Sequence, residues 1–384
     1  MRQARWCEAL ADGPSAWDTA LSQMPRRKAG SPAPPDTGPV TLRMLADHLG
    51  LSPASVSLVL NQAPGAAAIP RATQERIVAA ARKFNYRPNT LARSLRRQRS
   101  FTIGVLVPEI SEGYATLVLR GIEDRLLQEG FLYFVASHRH RRDLLDEYPR
   151  LLLDRAVEGL IAIDTPCERE LPVPIVAVSG HHQTPGVTNV ILNHDRAATL
   201  ALKHLHALGH RRIAVIKGQT FSSDTGIRWR AIRAAATRLN VPLDRQLVVQ
   251  LEGDGPLPEA GYDITRRLLR TSPGFTAIFA FNDLSAFGAI GALRDANLRV
   301  PDDVSVVGFD DILGASSHNP PLTTVRQPLR QMGEIAAETI VKRIAAGRSA
   351  RGPRMVHVEP ELIVRASTAK AAAAADGRPA RRRA

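Results

Sequence analysis

Residues 40–61 read Val40-Thr-Leu-Arg-Met-Leu-Ala-Asp-His-Leu-Gly-Leu-Ser-Pro-Ala-Ser-Val-Ser-Leu-Val-Leu-Asn61. Thr41 and Ser52 can each cap a helix with a side-chain oxygen, and Pro53 has the fixed φ that suits a first helical position. Gly50 permits the left-handed backbone of a tight turn between the two helices, and Ala46 is small where they would cross. This spacing predicts a helix-turn-helix, with an ordinary helical hairpin as the alternative.

A third helix is predicted to begin near Pro70, and the three helices would form a small domain over residues 40–86. In a helix-turn-helix, the second helix lies in the major groove of DNA with its N-terminal residues facing base edges. Here the residues that would face the bases are Pro53, Ala54, Ser55 and Leu58. Because this set is apolar, it would contact thymine methyl groups and respond to DNA shape more than it would bind guanines.

The positive charge of the chain is concentrated around this segment. The chain has 384 residues, enough for two or three domains, and a formal net charge of +14. Residues 24–100 hold 13 basic and 3 acidic residues, whereas residues 101–365 are nearly neutral. The asymmetry predicts a polyanionic partner for the N-terminal segment alone, with a solvated basic surface as the alternative.

Composition argues against several other classes of protein. No apolar run is long enough for a membrane span, and the N-terminus lacks a signal-peptide pattern, so we expect a cytoplasmic protein without a membrane partner. Cys7 and Cys167 form neither a disulfide framework nor a four-ligand zinc site. Residues 1–39 and 366–384 are predicted to be a disordered extension and a disordered basic tail. Met1 and Met24 both remain possible starts.

The long middle of the chain, residues 101–365, alternates short apolar runs with amphipathic helical stretches. This pattern predicts an α/β core of two doubly wound parallel-sheet lobes. The predicted strands are Ile103–Val107, Phe131–Val135, Leu160–Ile163, Ile175–Val178, Ile213–Ile216, Ala277–Phe281 and Val304–Val307. The predicted helices include Leu117–Gln128, Arg196–Leu208, Arg228–Leu239 and Leu284–Asn297.

Ligands of such sheets bind beyond the carboxyl ends of the strands. Polar residues follow the predicted strands at these ends. They are Glu109, Ser111, Ser137, Asp164, Ser179, Asn282, Asp283, Asp310 and Asp311.

The helix-turn-helix segment resembles the lactose-repressor/galactose-repressor (LacI/GalR) family of bacterial transcriptional regulators. The resemblance covers about residues 40–368 and includes Gly121-Ile-Glu-Asp, Phe281-Asn-Asp, Val300-Pro-Asp-Asp-Val-Ser-Val-Val-Gly-Phe-Asp-Asp and Pro321-Leu-Thr-Thr-Val-Arg-Gln-Pro. It implies an N-terminal all-α helix-turn-helix domain and a periplasmic-binding-protein-like core. The implied DNA contacts in the head are Thr41, Ser52, Pro53, Ala54, Ser55, Ser57, Leu58 and Asn61.

The resemblance also implies a hinge helix and linker over residues 87–100 that enter the minor groove. Leu95 would be the apolar wedge between base pairs, an insertion that unstacks a step and kinks the duplex. Arginines nearby would neutralise phosphates. The implied hinge contacts are Asn89, Ala92, Arg93, Leu95 and Arg96, with a basic linker as the alternative.

The same resemblance implies that the core binds a small-molecule effector, a sugar or sugar derivative, between its lobes. The implied contacts are Ser111, Tyr114, Ser137, Arg228, Asn282, Asp283 and Asp310. Asp283 would accept hydrogen bonds from vicinal hydroxyls, and Arg228 would donate two bonds at once. The alternatives are a structural ion pair for Arg228 and a turn cap for Asp310.

This chain departs from the family pattern at several positions. Glu112-Gly113-Tyr114-Ala115 replaces the usual Asn-Pro-Phe-Phe, and Ala231-Ile232 replaces a usual Gly-Tyr after Arg228. In the recognition helix, Leu58 stands where many members carry Arg or His. The ligand surface of the first lobe is therefore expected to differ from an ordinary hexose site.

The function that these features predict is a DNA-binding repressor that acts as a homodimer on a palindromic operator. No cofactor and no metal are expected, although His138, His140, His181 and His182 lie near strand ends and leave metal binding as a weak alternative. An enzyme is not expected, because the sequence lacks a nucleophile elbow, a P-loop and a Gly-x-Gly-x-x-Gly motif. A solute-binding protein is the remaining alternative.

Overall fold

The computed structural model describes residues 40–86, 99–110, 113–181, 183–253, 257–272, 274–347 and 353–371. The expectations for the N-terminal extension, most of the hinge, and Ser111 and His182 lie outside these residues. The chain divides into two compact units, with the boundary inside the predicted hinge segment. Within the described residues, no helix combines the length and the apolar character needed to cross a membrane.

The N-terminal unit is helical, as the sequence predicts. It contains α1 (Leu42–Leu49), α2 (Pro53–Leu60), a 3-10 helix (Pro64–Ala68) and α3 (Arg71–Lys83). The side chains of Thr41 and Ser52 accept from Met44 N and Ser55 N, and Gly50 has a φ of 65°. One apolar core unites the three α-helices through Leu45, Ala46, Val56, Val59, Ile77 and Ala80. The two helices that the sequence marks with capping residues are therefore joined at the predicted glycine turn, and together they form the helix-turn-helix.

The second unit consists of two six-stranded sheets covered by helices. The first lobe contains β1 (Thr102–Val107), α4 (Tyr114–Gln128), β2 (Leu132–Ser137), α5 (Arg142–Asp154), β3 (Gly159–Ile163), β4 (Ile175–Val178), β5 (Val187–Leu192), α11 (Leu329–Ala346) and β11 (Met355–Val358). Its strand order is β11-β5-β4-β3-β1-β2, and every pair is parallel.

The second lobe repeats this architecture. It contains α6 (His194–Ala207), β6 (Ile213–Lys217), α7 (Ser223–Arg238), a 3-10 helix (Arg245–Leu247), β7 (Val248–Gln250), α8 (Pro258–Thr271), β8 (Ala277–Phe279), α9 (Asp283–Asp295), β9 (Ser305–Asp310), α10 (Leu313–Ser317), β10 (Thr323–Arg326) and β12 (Glu361–Ile363). The strand order is β12-β10-β9-β8-β6-β7. Only the β10–β12 pair is antiparallel among the described strands.

The predicted strands are all present, and the structure adds β5, β7, β10, β11 and β12. The chain passes between the lobes three times in the described residues: from β5 to α6, from β10 to α11 and from β11 to β12. The lobes are therefore not consecutive halves of the sequence.

The predicted tail begins too early in the chain. Residues 366–371 are ordered against the second lobe, where Ser367 is fully buried and its Oγ donates to Val306 O and accepts from Thr323 N. Ala371 N donates to Leu208 O. The expected disorder of residues 366–371 is wrong, because hydrogen bonds that the composition does not reveal hold them. Residues 372–384 lie outside the described part of the chain.

Each lobe contains one pair of helices that contact through glycine. In the first lobe, a Cβ on Gly121 of α4 would overlap Arg330 O of α11, and one on Gly333 would overlap Val118 O. In the second lobe, a Cβ on Gly288 of α9 would overlap Pro258 O of α8. Because the overlapped atoms belong to the backbone, the neighbouring helix would have to move.

We expect Gly288→Ala to lower the free energy of unfolding by about 1–3 kcal/mol or more, because it overpacks a helix contact. Gly291→Ala, on the same helix, is the matched control, since its Cβ would lie 3.5 Å from the Tyr262 ring in ordinary contact. It should raise the free energy of unfolding by about 0.5–1 kcal/mol through helix propensity. Denaturant unfolding of both variants measures this, and equal effects would contradict the glycine contact.

Candidate functional site

A cavity lies between the two lobes at the carboxyl ends of their strands. The first lobe contributes Pro108, Glu109, Gly113, Tyr114, Ala115, His140 and Asp164. The second lobe contributes Gln219, Phe221, Ser222, Asp224, Arg228, Phe281, Asn282, Leu284, Asp310 and Ile312. The ring centroids of His140 and Phe221 lie 3.7 Å apart, so the two lobes meet in an aromatic wall at one side of the cavity.

Arg228 is buried at the bottom of the cavity, where two hydrogen bonds and two aromatic rings hold its guanidinium group. Its Nη2 donates to Asp224 Oδ2 at 3.1 Å, and its Nη1 donates to Phe281 O. The guanidinium carbon lies 3.6 Å from the Phe309 ring centroid and 4.4 Å from that of Phe281. Its Nε is the one nitrogen for which the described residues provide no partner. The ion pair that the sequence left as an alternative is therefore present within the cavity itself.

Asp224 is the centre of a buried charge cluster. Its Oδ1 lies 2.6 Å from His181 Nε2 and 3.2 Å from His194 Nε2, while its Oδ2 accepts from Arg228. Burial opposes ionisation, but His194, His181 and Arg228 together hold the pKa of Asp224 well below its usual range. Asp224 is therefore a fixed negative charge that joins a loop of the first lobe to helices of the second.

Asp164 makes a second connection across the cavity. It follows β3 of the first lobe, and its Oδ1 accepts from the backbone N of Ser223 at 3.1 Å and from Ser223 Oγ at 2.7 Å. These donors form the N-terminus of α7, where an acidic group is favoured by the helix dipole. Burial and the neighbouring Asp224 nevertheless raise the pKa of Asp164 to about 6.

Asp310 is a buried carboxyl with little compensation. Its Oδ1 accepts from Gln327 Nε2 at 2.6 Å. Burial raises the pKa of Asp310 to about 7, although Arg228 and the Gln327 hydrogen bond oppose the rise. Its φ of 108° is a conformation that non-glycine residues rarely adopt. Strain of this kind concentrates at ligand and active sites.

The structure brings four of the predicted effector residues to the cavity and places two elsewhere. The four are Tyr114, Arg228, Asn282 and Asp310. Ser137 lies outside the lining, and its Oγ donates to Pro108 O. Asp283 is fully buried, where its Oδ1 accepts from Thr324 Oγ1 and its Oδ2 from Ile312 N. Its position is therefore that of a residue that fixes the loop after β9, rather than one that meets a ligand.

The sequence did not single out Asp224, because the predicted helix began at Arg228. The structure begins α7 one turn earlier, at Ser223. Asp224 and Arg228 then lie four residues apart on one helix face, the spacing of a helical ion pair. That spacing is the signal that could have identified Asp224.

The histidines form a hydrogen-bonded cluster. The ligand atoms of His181, His194 and Asp224 lie within 4.8 Å of one another, the one such group in the described part of the chain. Both imidazoles meet the same carboxylate oxygen, and the Arg228 guanidinium shares that carboxylate. His138 instead pairs with Thr165, with 2.9 Å between Nε2 and Oγ1.

The N-terminal unit presents the start of α2 to solvent. Val56 and Val59 are buried in the helical core, whereas Ser52, Pro53 and Ala54 are exposed. The other predicted contacts Ser55, Ser57, Leu58 and Asn61 are half-buried, and Thr41 is exposed. The Asn61 amide donates to Ser57 O and Oγ, so it closes the C-terminal turn of α2.

Comparison with known proteins agrees with this architecture. Residues 202–368 match the model of the periplasmic binding protein-like domain. The chain is 31% identical to the HTH-type transcriptional repressor PurR of Aliivibrio fischeri strain MJ11 over 336 residues, which cover 85% of this chain and 98% of the relative.

Two solved structures of regulators are also similar. A Lac repressor dimer bound to operator and an anti-inducer has a TM-score of 0.77 at 28% identity, with 86% of this chain and 100% of that chain covered. A complex of the transcriptional regulator CelR with cellobiose has a TM-score of 0.63 at 28% identity, with 85% and 99% covered.

The chain belongs to the LacI family of transcriptional repressors. As a LacI-family protein, it has the predicted fold of a helical head and two parallel-sheet lobes, with one antiparallel edge strand as the single departure in the described sheets. Its relatives are repressors rather than enzymes, which confirms that expectation.

We expect Asp310→Asn to stabilise the ligand-free protein at pH 8 by about 1–3 kcal/mol. The folded protein holds the pKa of Asp310 above its ordinary value, so this carboxyl contributes stability at low pH that is lost as pH rises toward 7. Asparagine can still accept from Gln327 but carries no charge, so the variant avoids that loss. The gain should largely disappear at pH 5.

Thermal unfolding of the full chain at pH 5 and pH 8 checks this result. Asp263→Asn, at an exposed position of α8, is the matched control and should change neither value. An effect of Asp310→Asn that is equal at pH 5 and pH 8 would show that the folded protein does not raise the pKa of this carboxyl.

Proposed function

We propose that this LacI-family protein is a cytoplasmic, dimeric repressor that binds a palindromic operator. Its operator affinity would be controlled by a small-molecule effector, a sugar or sugar derivative, in the cavity between the lobes. The domain division proposed for it is the head at residues 40–86, the hinge at 87–100 and the effector-binding and dimerisation domain at 101–365.

The DNA-binding part of this proposal rests on the orientation of α2. Val56 and Val59 anchor the helix to α1 and α3, while Pro53 and Ala54 at its N-terminus are exposed. This is the face that a helix-turn-helix inserts into the major groove. The apolar character of this face supports contacts with thymine methyl groups, and Asn89, Ala92, Arg93, Leu95 and Arg96 remain the proposed minor-groove contacts of the hinge.

The effector half is supported by the contacts that join the lobes at the cavity. Asp164 in the first lobe accepts from the N-terminus of α7 in the second, and His181 Nε2 of the first lobe lies 2.6 Å from Asp224 Oδ1 of α7. A ligand that fills the cavity would change the balance of these contacts. Because linkage is reciprocal, a ligand that favours one arrangement of the lobes changes operator affinity by the factor that the operator changes ligand affinity.

We expect Ala54→Glu to weaken operator binding by about tenfold or more, because it places a negative charge against the DNA. Ala79→Glu, at an exposed position within α3, is the matched control and should retain most of the affinity. Fluorescence anisotropy measures both variants with DNA that the full chain selects from a random-sequence pool.

Two properties of the selected DNA test the proposal independently. Its half-sites should be related by two-fold symmetry. The wild-type affinity should fall by about a thousandfold or more between 50 and 200 mM salt if six or more phosphates are contacted. Equal loss in both glutamate variants, or binding without sequence preference, would contradict a base-reading role for α2.

The effector is tested by thermal unfolding of the full chain with neutral sugars, sugar derivatives and planar nucleobases. A ligand at about 100 times its Kd stabilises the folded state by about 2.7 kcal/mol. That gain corresponds to a midpoint shift of roughly 5–10 °C for the core, since each kcal/mol shifts the midpoint by about 2–4 °C. The stabilising compound should also change operator affinity. Stabilisation by nucleobases alone would contradict the carbohydrate proposal and leave the DNA-binding proposal intact.

A further inference from the structure

The ionisable side chains that line the cavity are mostly acidic. Among the described lining residues, the carboxylates of Glu109, Asp164, Asp224 and Asp310 face a single guanidinium, that of Arg228. One imidazole, that of His140, is also present. A ligand in this cavity therefore meets more negative than positive charge.

The one guanidinium is already committed to the protein. Asp224 and Phe281 O occupy its two terminal nitrogens, and two phenylalanine rings cover its faces. A phosphate or carboxylate is bound best by two parallel N–H donors of an arginine, and here each terminal nitrogen already donates to the protein while Nε has no partner among the described residues. The cavity thus offers an anionic ligand little compensation for the nearby carboxylates.

Three of the carboxylates converge on the same small volume. Asp164, Asp224 and Asp310 all act on the Tyr114 hydroxyl, and with burial they raise the pKa of Tyr114 well above its usual range. Arg228 pairs with Asp224, and the two imidazoles lie within hydrogen-bond distance of its Oδ1. Asp164 and Asp310 have only neutral hydrogen-bond donors among the contacts described above. Arg228 opposes the rise in the pKa of Asp310 without cancelling it, and a buried carboxylate with so little compensation is costly unless a cation arrives.

We infer that the effector is a small polyhydroxylated molecule that carries a protonated amine, and that its ammonium group pairs with Asp310 and Asp164. This inference rests on the proposed function, since it names the chemical class of ligand for the same cavity. The hydroxyl-binding part of the site is ordinary for a polyol: Asn282, Gln219 and Ser222 supply polar groups, and the His140–Phe221 pair supplies an aromatic wall.

Amine binding should strengthen as pH rises, because Asp164 and Asp310 bind an ammonium group best when both are ionised. Burial holds their pKa values at about 6 and about 7, so binding should rise from about pH 5.5 to about pH 7.5 and fall again where the ligand amine loses its own proton. The charged and titratable groups that face these two carboxyls come from α4, α7 and α9. They are Tyr114, Asp224, Arg228 and Asp283.

The test compares isosteric ligands by thermal unfolding and calorimetry of the full chain. The probes are glucosamine and galactosamine, their neutral N-acetylated forms, glucose and galactose, glucose 6-phosphate, and putrescine as an amine without hydroxyls. At pH 7.5, an amino sugar should bind at least about tenfold more tightly than its N-acetylated and parent forms, with no binding of the phosphate. Putrescine should bind weakly, since it lacks the polyol.

The variant Asp310→Asn should reduce the preference for the amine at least severalfold and leave only the pH dependence that Asp164 supplies, whereas Asp263→Asn should change neither. The inference would be overturned by tighter binding of the phosphate or the neutral sugars, by binding of no amine, or by a preference that Asp310→Asn leaves unchanged. Operator binding of the ligand-free protein is measured separately. If it is absent, the proposed function fails; if it is present and neutral sugars act, only this inference fails.

Discussion

The arrangement of the effector core depends on one buried carboxylate, that of Asp224. It collects a guanidinium and two imidazoles from three different elements, and it ties the start of α7 to the loop after β4 and the start of α6. Removing one partner from such a cluster leaves an uncompensated charge inside the protein, which is strongly destabilising. The position of Arg228, and with it the floor of the cavity, follows from this cluster.

The same cluster explains why the cavity is uneven in charge. Arg228 donates its hydrogen bonds to Asp224 and Phe281 O, and its charge opposes but does not cancel the effect of burial on the pKa of Asp310. A folded protein that keeps two such carboxyls buried gives up stability at neutral pH. Natural binding sites often retain groups of this kind, because the free energy lost in the empty site is recovered when a complementary ligand binds.

Much of the fold could be predicted from the sequence, because local signals were strong. Thr41, Gly50, Ser52 and Pro53 act over a few residues, and each adopts the predicted role. The long apolar strands were found for the same reason. The strands β7, β10 and β12 have three or four residues each, and polar Thr323 and Thr324 in β10 are fully buried. Their pairing depends on neighbours distant in sequence, which no local pattern records.

The site was less predictable than the fold. Tyr114, Arg228, Asn282 and Asp310 were expected and line the cavity. Asp283 was expected to meet a ligand, yet a threonine and a backbone N–H from other segments hold its two oxygens. Whether a carboxylate faces the cavity or the protein depends on those distant partners. An error of one turn in the start of α7 was also enough to omit Asp224.

The three connections between the lobes have a mechanical consequence. Three separate crossings behave as a multi-stranded hinge: they allow one lobe to rotate about the line of the crossings but oppose sliding or complete separation. The motion that an effector can bias is therefore mainly a rotation of one lobe against the other. A single cut in the backbone at any one crossing would still leave the two lobes covalently joined to each other by the remaining connections.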